Sequence, residues 1–246
     1  MAEAEQPIYR QIATSLEADI TSGKLKEGDK LPSERVLAEQ FGISRMTARQ
    51  AMRELTAKGI LVTRTGHGTF VGQPQIQQTL TTLTGFSEQM EPLGYELSSI
   101  VISSSLSQAD NACAAALKLT QTAQVHRLVR VRLVDGKPLA IETTEVRADV
   151  APGLLDKADF SHESLYSILR ASFDIVPTTA EQVLEAAQAS PDVARTLQIK
   201  AGEALLKLTR LTFDAQGEPF EYVRSFYRGD SFAMKVNLTL GSPKNQ

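Results

Sequence analysis

Phe41-Gly42-Ile43-Ser44-Arg45-Met46-Thr47-Ala48-Arg49-Gln50-Ala51-Met52-Arg53-Glu54-Leu55, followed a few residues later by Gly66-His67-Gly68-Thr69-Phe70-Val71, decides how this chain is read. Gly42 suits the left-handed end of one helix, and Ser44 can cap the next by accepting a backbone N–H bond. A short helix–turn–helix corner is the expectation. Beyond Ser44 the apolar Ala48, Ala51, Met52 and Leu55 recur at helical spacing and define a stripe to be buried. Arg45, Thr47, Arg49, Gln50 and Arg53 occupy the other face and the N-terminal end. Side chains of these types reach phosphates and guanine edges, and a major groove admits the helix that carries them. The stretch therefore reads as a DNA recognition helix.

Working outward, Ile8, Tyr9, Ile12, Ala13, Leu16 and Ile20 predict an amphipathic first helix ending at Ser22-Gly23. After a turn at Lys26–Lys30, Ser33 is placed to cap a short helix carrying Val36, Leu37, Ala38 and Phe41, with Arg35 in its first turn where it can reach a phosphate. The recognition helix should stop at Lys58-Gly59, a terminal cation followed by a glycine cap. Ile60 to Arg64 predicts a strand, and Gly66-His67-Gly68 the tip of a hairpin returning through Thr69-Phe70-Val71. Three helices and a hairpin describe a winged helix. Its glycine tip beside Arg64 suits a minor groove; His67 read alone is an ordinary turn histidine.

The charge balance fits a local rather than a global DNA affinity. The 246 residues hold 26 basic and 29 acidic side chains, a net charge of −3. Between Gly42 and Gly72, however, Arg45, Arg49, Arg53, Lys58 and Arg64 face Glu54 alone. A basic patch on an acidic protein suits a selective reader that does not coat DNA indiscriminately; the plain alternative is a solvated helix face. One cysteine and three scattered histidines give no basis for a disulfide or a metal site, and no cofactor is implied. No apolar run approaches the roughly 20 residues that span a bilayer, and the acidic N-terminus lacks a signal-peptide pattern, so a cytoplasmic protein without membrane contact is expected.

The length allows two domains. Residues 1–72 are assigned to the winged helix, the polar, Pro-interrupted 73–80 to a linker, and 81–246 to a second domain. There, Leu80, Leu83, Phe86 and Met90 predict a short helix or turn, Ile100-Val101-Ile102 a short strand, and Ser107 the cap of a helix through Ala112, Ala116 and Leu117. Val125–Val134 and Leu139–Val146 form a hairpin about Asp135-Gly136. Leu165, Ile168, Leu169 and Phe173 mark a helix, and Ser190-Pro191 starts another that stops near Gly202. A second hairpin, 205–213 with 220–228, echoes the first, and Phe232–Leu240 is a final strand. Two related hairpins with a helix after each predict a pseudo-symmetric antiparallel sheet carrying helices, an α+β fold.

By period two, His126, Leu128, Arg130, Arg132 and Val134 share a face. Two neighbouring guanidiniums repel unless an anion lies between them, and a phosphate gains charge-assisted hydrogen bonds from both. The alternative is a surface pair facing Glu142 or Glu145.

Leu31-Pro32-Ser33-Glu34-Arg35, Phe41 to Ala51, Gly59-Ile60-Leu61 and Gly68-Thr69-Phe70-Val71, in this order and spacing, resemble the GntR family of bacterial transcription regulators. The resemblance implies DNA contacts by Arg35, Ser44, Arg45, Thr47 and Arg49, with Gly66 and His67 from the wing, and a homodimer on palindromic double-stranded operator DNA. From Leu80 to Asp230 the chain resembles the UTRA, chorismate-lyase-like ligand-binding domain of the HutC subgroup. Leu83–Ser87, Arg130–Leu133, Pro138–Glu142, Ser164-Leu165-Tyr166, Phe220-Glu221 and Ser225–Asp230 are similar to the N-acetylglucosamine-utilisation repressors. That similarity implies that Arg130, Arg132, Ser164 and Tyr166, with backbone amides near Phe86 and Ser87, hold a sugar phosphate. Glu142, Glu221 and Tyr227 then meet its hydroxyls and its amino or acetamido group. The expected effector is glucosamine 6-phosphate or N-acetylglucosamine 6-phosphate, and the expected role a repressor of amino-sugar uptake and catabolism genes. Other HutC-type regulators sense different small molecules, which is the first alternative. A sugar-phosphate enzyme with Glu142 and Glu221 as an acid/base pair is the second.

Overall fold

A computed structural model describes residues 7–64, 66–72, 75–80, 82–120 and 122–238. The chain divides into two units, the second beginning at Gln77.

In the first unit, α1 (Ile8–Thr21), α2 (Glu34–Phe41) and α3 (Arg45–Ala57) precede a hairpin of β1 (Leu61–Arg64) and β2 (Gly68–Val71). Ser33 Oγ accepts from Val36 N at 3.4 Å and Ser44 Oγ from Thr47 N at 3.1 Å, so both helices start on the hydroxyls that the sequence offers. Gly42, at φ +63°, ends α2 in the left-handed region and turns the chain into α3. Ala48, Ala51, Met52 and Leu55 are buried against Ile12, Ala13, Leu16, Leu37 and Leu61, which closes a small core. Ile8 and Phe41, both within the apolar patterns, stay exposed because they lie at the ends of their stripes.

The second unit is organised on a six-stranded antiparallel sheet in the order β4-β5-β6-β9-β8-β7. Its strands are β4 (Leu97–Gln108), β5 (Gln124–Val134), β6 (Lys137–Arg147), β7 (Thr179–Gln188), β8 (Ala204–Phe213) and β9 (Pro219–Arg228). Around it lie α4 (Phe86–Met90), α5 (Asn111–Ala116), α6 (Leu165–Phe173) and α7 (Pro191–Leu197). A separate two-stranded sheet pairs β3 (Ile76–Thr79) with β10 (Phe232–Lys235).

The repeat is deeper than two hairpins. Its unit is strand–helix–hairpin, β4-α5-β5-β6 and again β7-α7-β8-β9, so the helix precedes each hairpin rather than following it. Eighty positions separate Leu117 from Leu197, Val125 from Leu205 and Arg130 from Arg210. The helix ends match too: Lys118 and Gln198 both take positive φ, 55° and 56°. Each helix crosses to the other half, α5 against β9 and α7 against β6. Arg147 grips Asp149 and donates to the Pro219 carbonyl (3.4 Å), while Arg228 grips Asp230 and donates to the Pro138 carbonyl (3.4 Å). The halves are thus tied reciprocally about the central β6–β9 pair.

One sheet face carries α6 and residues 150–160, with Leu128, Val146, Leu154, Phe160, Leu165 and Leu169 in its core. On the other, α5 seats Cys113 and Leu117 on Val125, and α7 seats Ala194 and Leu197 on Leu205.

Several expectations need correction. Ser107 lies inside β4, and α5 is capped by Asp110, whose carboxylate accepts from Cys113 N at 2.8 Å. The short strand at 100–102 lies within the twelve-residue β4, an edge strand whose Ser103, Ser104 and Ser105 face solvent and so carry no apolar alternation. The helix after Ser190 stops at Leu197, because Gln198 takes the left-handed conformation well before Gly202. Edge strand β7 was not expected at all. The final strand ends at Lys235; residues 239 and 240 of its expected span lie outside the described residues. Within the expected linker, Ile76–Thr79 form β3, while Gln73 and Pro74 lie outside the described residues.

Candidate functional site

Each unit presents a candidate site. On the first, α3 turns its buried stripe inward and leaves Arg45, Met46, Arg49, Gln50 and Arg53 exposed. Ser44 and Thr47 sit at its N-terminus with their hydroxyls 2.8 Å apart. Arg49 pairs with Glu34 at 3.2 Å and Arg35 with Glu39 at 2.7 Å, both at the surface. Exposed pairs are worth about 0–1 kcal/mol, so either guanidinium can exchange its carboxylate for a phosphate at little cost. Arg45 and Arg53 make no ion pair among the described residues. At the hairpin tip Gly66 (φ +78°) and Gly68 (φ +113°) flank His67, whose N–H donates to the Arg64 carbonyl at 2.9 Å. Phe70 braces the wing between two cations, Arg64 at 5.1 Å and Lys30 at 6.0 Å from its ring. Lys30, which bridges to Phe70 across the wing, was missed because turn lysines carry no spacing signal.

The second unit brings Phe86, Ser87, Arg130, Arg132, Glu142, Ser164, Tyr166, Glu221 and Tyr227, all nine of the expected effector residues, around one cavity. The sheet supplies its floor and α4 and α6 its rim. Arg130 and Glu142 are register partners on β5 and β6 and meet at 2.7 Å. Arg132 lies 4.0 Å from the same carboxylate, stacks 4.3 Å over Phe86 and donates to Ser87 Oγ at 3.4 Å. Neither arginine is a surface residue: they are 3% and 4% exposed. Glu145 points to the other side and pairs with Arg224 at 2.7 Å. Ser164 caps α6 by accepting from Ser167 N, and Glu88 joins α4 to α6 through Arg170.

The electrostatics separate the two buried carboxyls. Burial works against the Glu142 charge, yet Arg130 and Arg132 outweigh it and hold this group below the usual carboxylate range. Burial pushes Glu221 the other way, only partly offset by donors from Thr212 (2.6 Å) and Tyr166 (2.8 Å). Burial and the neighbouring Arg130 bring Arg132 down to about 10. Tyr227, stacked 4.2 Å from Phe232, is pushed up to about 12 by burial and by Glu142.

Two arginines thus share one carboxylate, and Arg130 Nε and Nη1, Arg132 Nε and Ser225 Oγ are buried without a hydrogen-bond partner. Buried donors left unpaired are costly, and a bound anion satisfies them. Arg210, Thr144, Gln89 and Ser225 also line the cavity and were missed. The signal for Arg210 is its place eighty residues after Arg130 in the repeat.

A winged helix with a basic recognition face, joined in one chain to a domain holding a polar small-molecule pocket, defines a ligand-responsive DNA-binding regulator. Residues 8–71 match the model for bacterial regulatory proteins of the gntR family, and residues 93–233 that for the UTRA domain. The chain is 38% identical over 226 residues to the HTH-type transcriptional repressor NagR of Bacillus subtilis (strain 168), covering 92% of each chain. It is 33% identical to the histidine utilization repressor of Pseudomonas putida, over 93% of this chain and 91% of that one. PhnF from Mycobacterium smegmatis, a solved structure, is similar at TM-score 0.77 and 30% identity, over 96% of this chain and 100% of that one. The protein belongs to the GntR family, HutC subgroup, and is a transcription regulator rather than an enzyme.

Proposed function

We propose that this regulator represses genes for amino-sugar uptake and catabolism, as a homodimer on a palindromic operator, and that its effector is a phosphorylated amino sugar. Arg45, Thr47 and Arg49, with Ser44 at the helix start, read the major groove; Arg35, Gly66 and His67 contact the backbone and the minor groove. The observation that carries the effector reading is the pair of buried arginines sharing one carboxylate with N–H groups unpaired. A phosphate dianion supplies the charge and the acceptors they lack. Glu142, Glu221 and Tyr227 serve the sugar hydroxyls and the nitrogen substituent. Both curated relatives described above are repressors by name, which supports the direction of control.

Effector and operator are linked through two states of different operator affinity. A hundredfold change in occupancy needs the effector to discriminate between them by about 3 kcal/mol. The test is a thermal-shift and calorimetric screen of glucosamine 6-phosphate, N-acetylglucosamine 6-phosphate, urocanate and fatty acids. A sugar phosphate should bind and should alter operator affinity, and Arg132→Ala should abolish the binding. Binding that leaves operator affinity unchanged sinks the proposal.

A further inference from the structure

The repeat places a second arginine opposite the first. Arg130 on β5 and Arg210 on β8 occupy equivalent positions, each two residues after an equivalent leucine, Leu128 and Leu208, and both line the same cavity. Strands β6 and β9 lie between them, so their backbones stand three inter-strand steps, about 14 Å, apart. The surroundings of the two arginines differ. Arg130 meets the Glu142 carboxylate at 2.7 Å, whereas Arg210 makes no ion pair among the described residues. It donates only to neutral oxygens, Nε to Gln182 Oε1 at 2.8 Å and Nη1 to the Thr84 carbonyl at 3.2 Å. The nearby Glu221 spends one oxygen on two hydroxyl donors, Thr212 and Tyr166. Burial works against the Arg210 charge, but the nearby Tyr166 and Glu221 outweigh it and keep the guanidinium charged, and planar oxygen acceptors are the groups its fork geometry recognises.

We propose that Arg210 is a specificity-determining residue of the effector pocket. It selects ligands that carry a planar carbonyl-type oxygen, an amide carbonyl or a carboxylate, in addition to the phosphate. This rests on the phosphate reading of Arg130 and Arg132 and adds the chemistry of a second recognised group. Gln182 and Thr84 hold the guanidinium plane, and Ser225, whose buried hydroxyl has no partner, serves the polar middle of the ligand.

Calorimetry on the full chain with three probes tests it: glucose 6-phosphate, with hydroxyls only; N-acetylglucosamine 6-phosphate, with an amide carbonyl; and 6-phosphogluconate, with a carboxylate. Wild type should prefer at least one oxygen-bearing probe to glucose 6-phosphate, and the arm that wins identifies which oxygen is recognised. Arg210→Met should shrink that preference about tenfold, the usual worth of a charge-assisted hydrogen bond. Arg210→Lys, which keeps the charge but loses the fork, should retain part of it, and ligand-free melts identify any variant that is simply misfolded. Equal wild-type affinity for all three probes overturns the role of Arg210 while leaving the phosphate reading intact. So does an equal loss for all three in Arg210→Met, which would make Arg210 a brace for Thr84. Wild type that binds none of the three overturns both readings.

Discussion

His126 lies on β5 two residues before Leu128, is 5% exposed, and has neither ring nitrogen in hydrogen-bonding geometry with a partner. Burial pulls its pKa down, and the Ala151 backbone and Asp156 only partly oppose that. A histidine depressed in the folded state adds stability above its unfolded value, and that stability is lost as pH falls through the folded value. The second unit should therefore weaken as pH falls below about 6.5, the ordinary imidazole value, partly on account of this one ring. Leu206 stands at the equivalent place in the other half. His126→Leu should give a flatter stability profile across that range, followed by denaturant melts at each pH; an unchanged slope would show that the ring does not contribute.

At the scale of the element, the corner between α2 and α3 is the sharpest test of why the first unit folds. Gly42 holds φ +63°, and a β-carbon there would meet nothing within 4 Å, so Gly42→Ala isolates backbone strain from crowding. Left-handed backbone costs a non-glycine residue about 1–2 kcal/mol, and the first unit should lose about that in a denaturant melt. Should the substitution prove neutral, the corner is not held by that conformation. This corner and the α3 stripe were legible because caps and helical periodicity are local signals. Of the edge strands, paired on one side only, β4 was legible only at Ile100–Ile102 and β7 not at all: Ser103–Ser105 and Val183–Glu185 face solvent and show no alternation. The second hairpin was found, but its turn, Asp214 to Pro219, is two residues longer than Asp135 to Pro138, so matching the turns misaligns the strands before them. Counting through the caps and helix ends instead aligns Arg210 with Arg130. The nine pocket residues came from family resemblance; period two alone put Arg130 and Arg132 on one face and left open whether that face was buried.

For the molecule as a whole, the two units carry different chemistry: an exposed basic helix on one, a buried charged pocket on the other. Arg45→Ala with Arg49→Ala should reduce operator affinity by an order of magnitude or more, since phosphate and base contacts are lost together, yet leave effector binding as it was. Gel-shift and calorimetric measurements on one preparation check both halves of that statement, and intact operator binding would dismiss α3 as the reading head. The single cysteine offers an independent view of the other half. Cys113 is fully enclosed beneath α5, with its thiol pushed up to about 12 by burial and by the carboxylates of Glu145 and Asp110. Alkylating reagents can reach it only when that helix lifts from the sheet, so labelling kinetics become a stopwatch for breathing of the sensory half alone, with the DNA-reading half silent. Saturating effector should slow the stopwatch, and a labelling rate indifferent to effector would mean that the helix opens without disturbing the pocket.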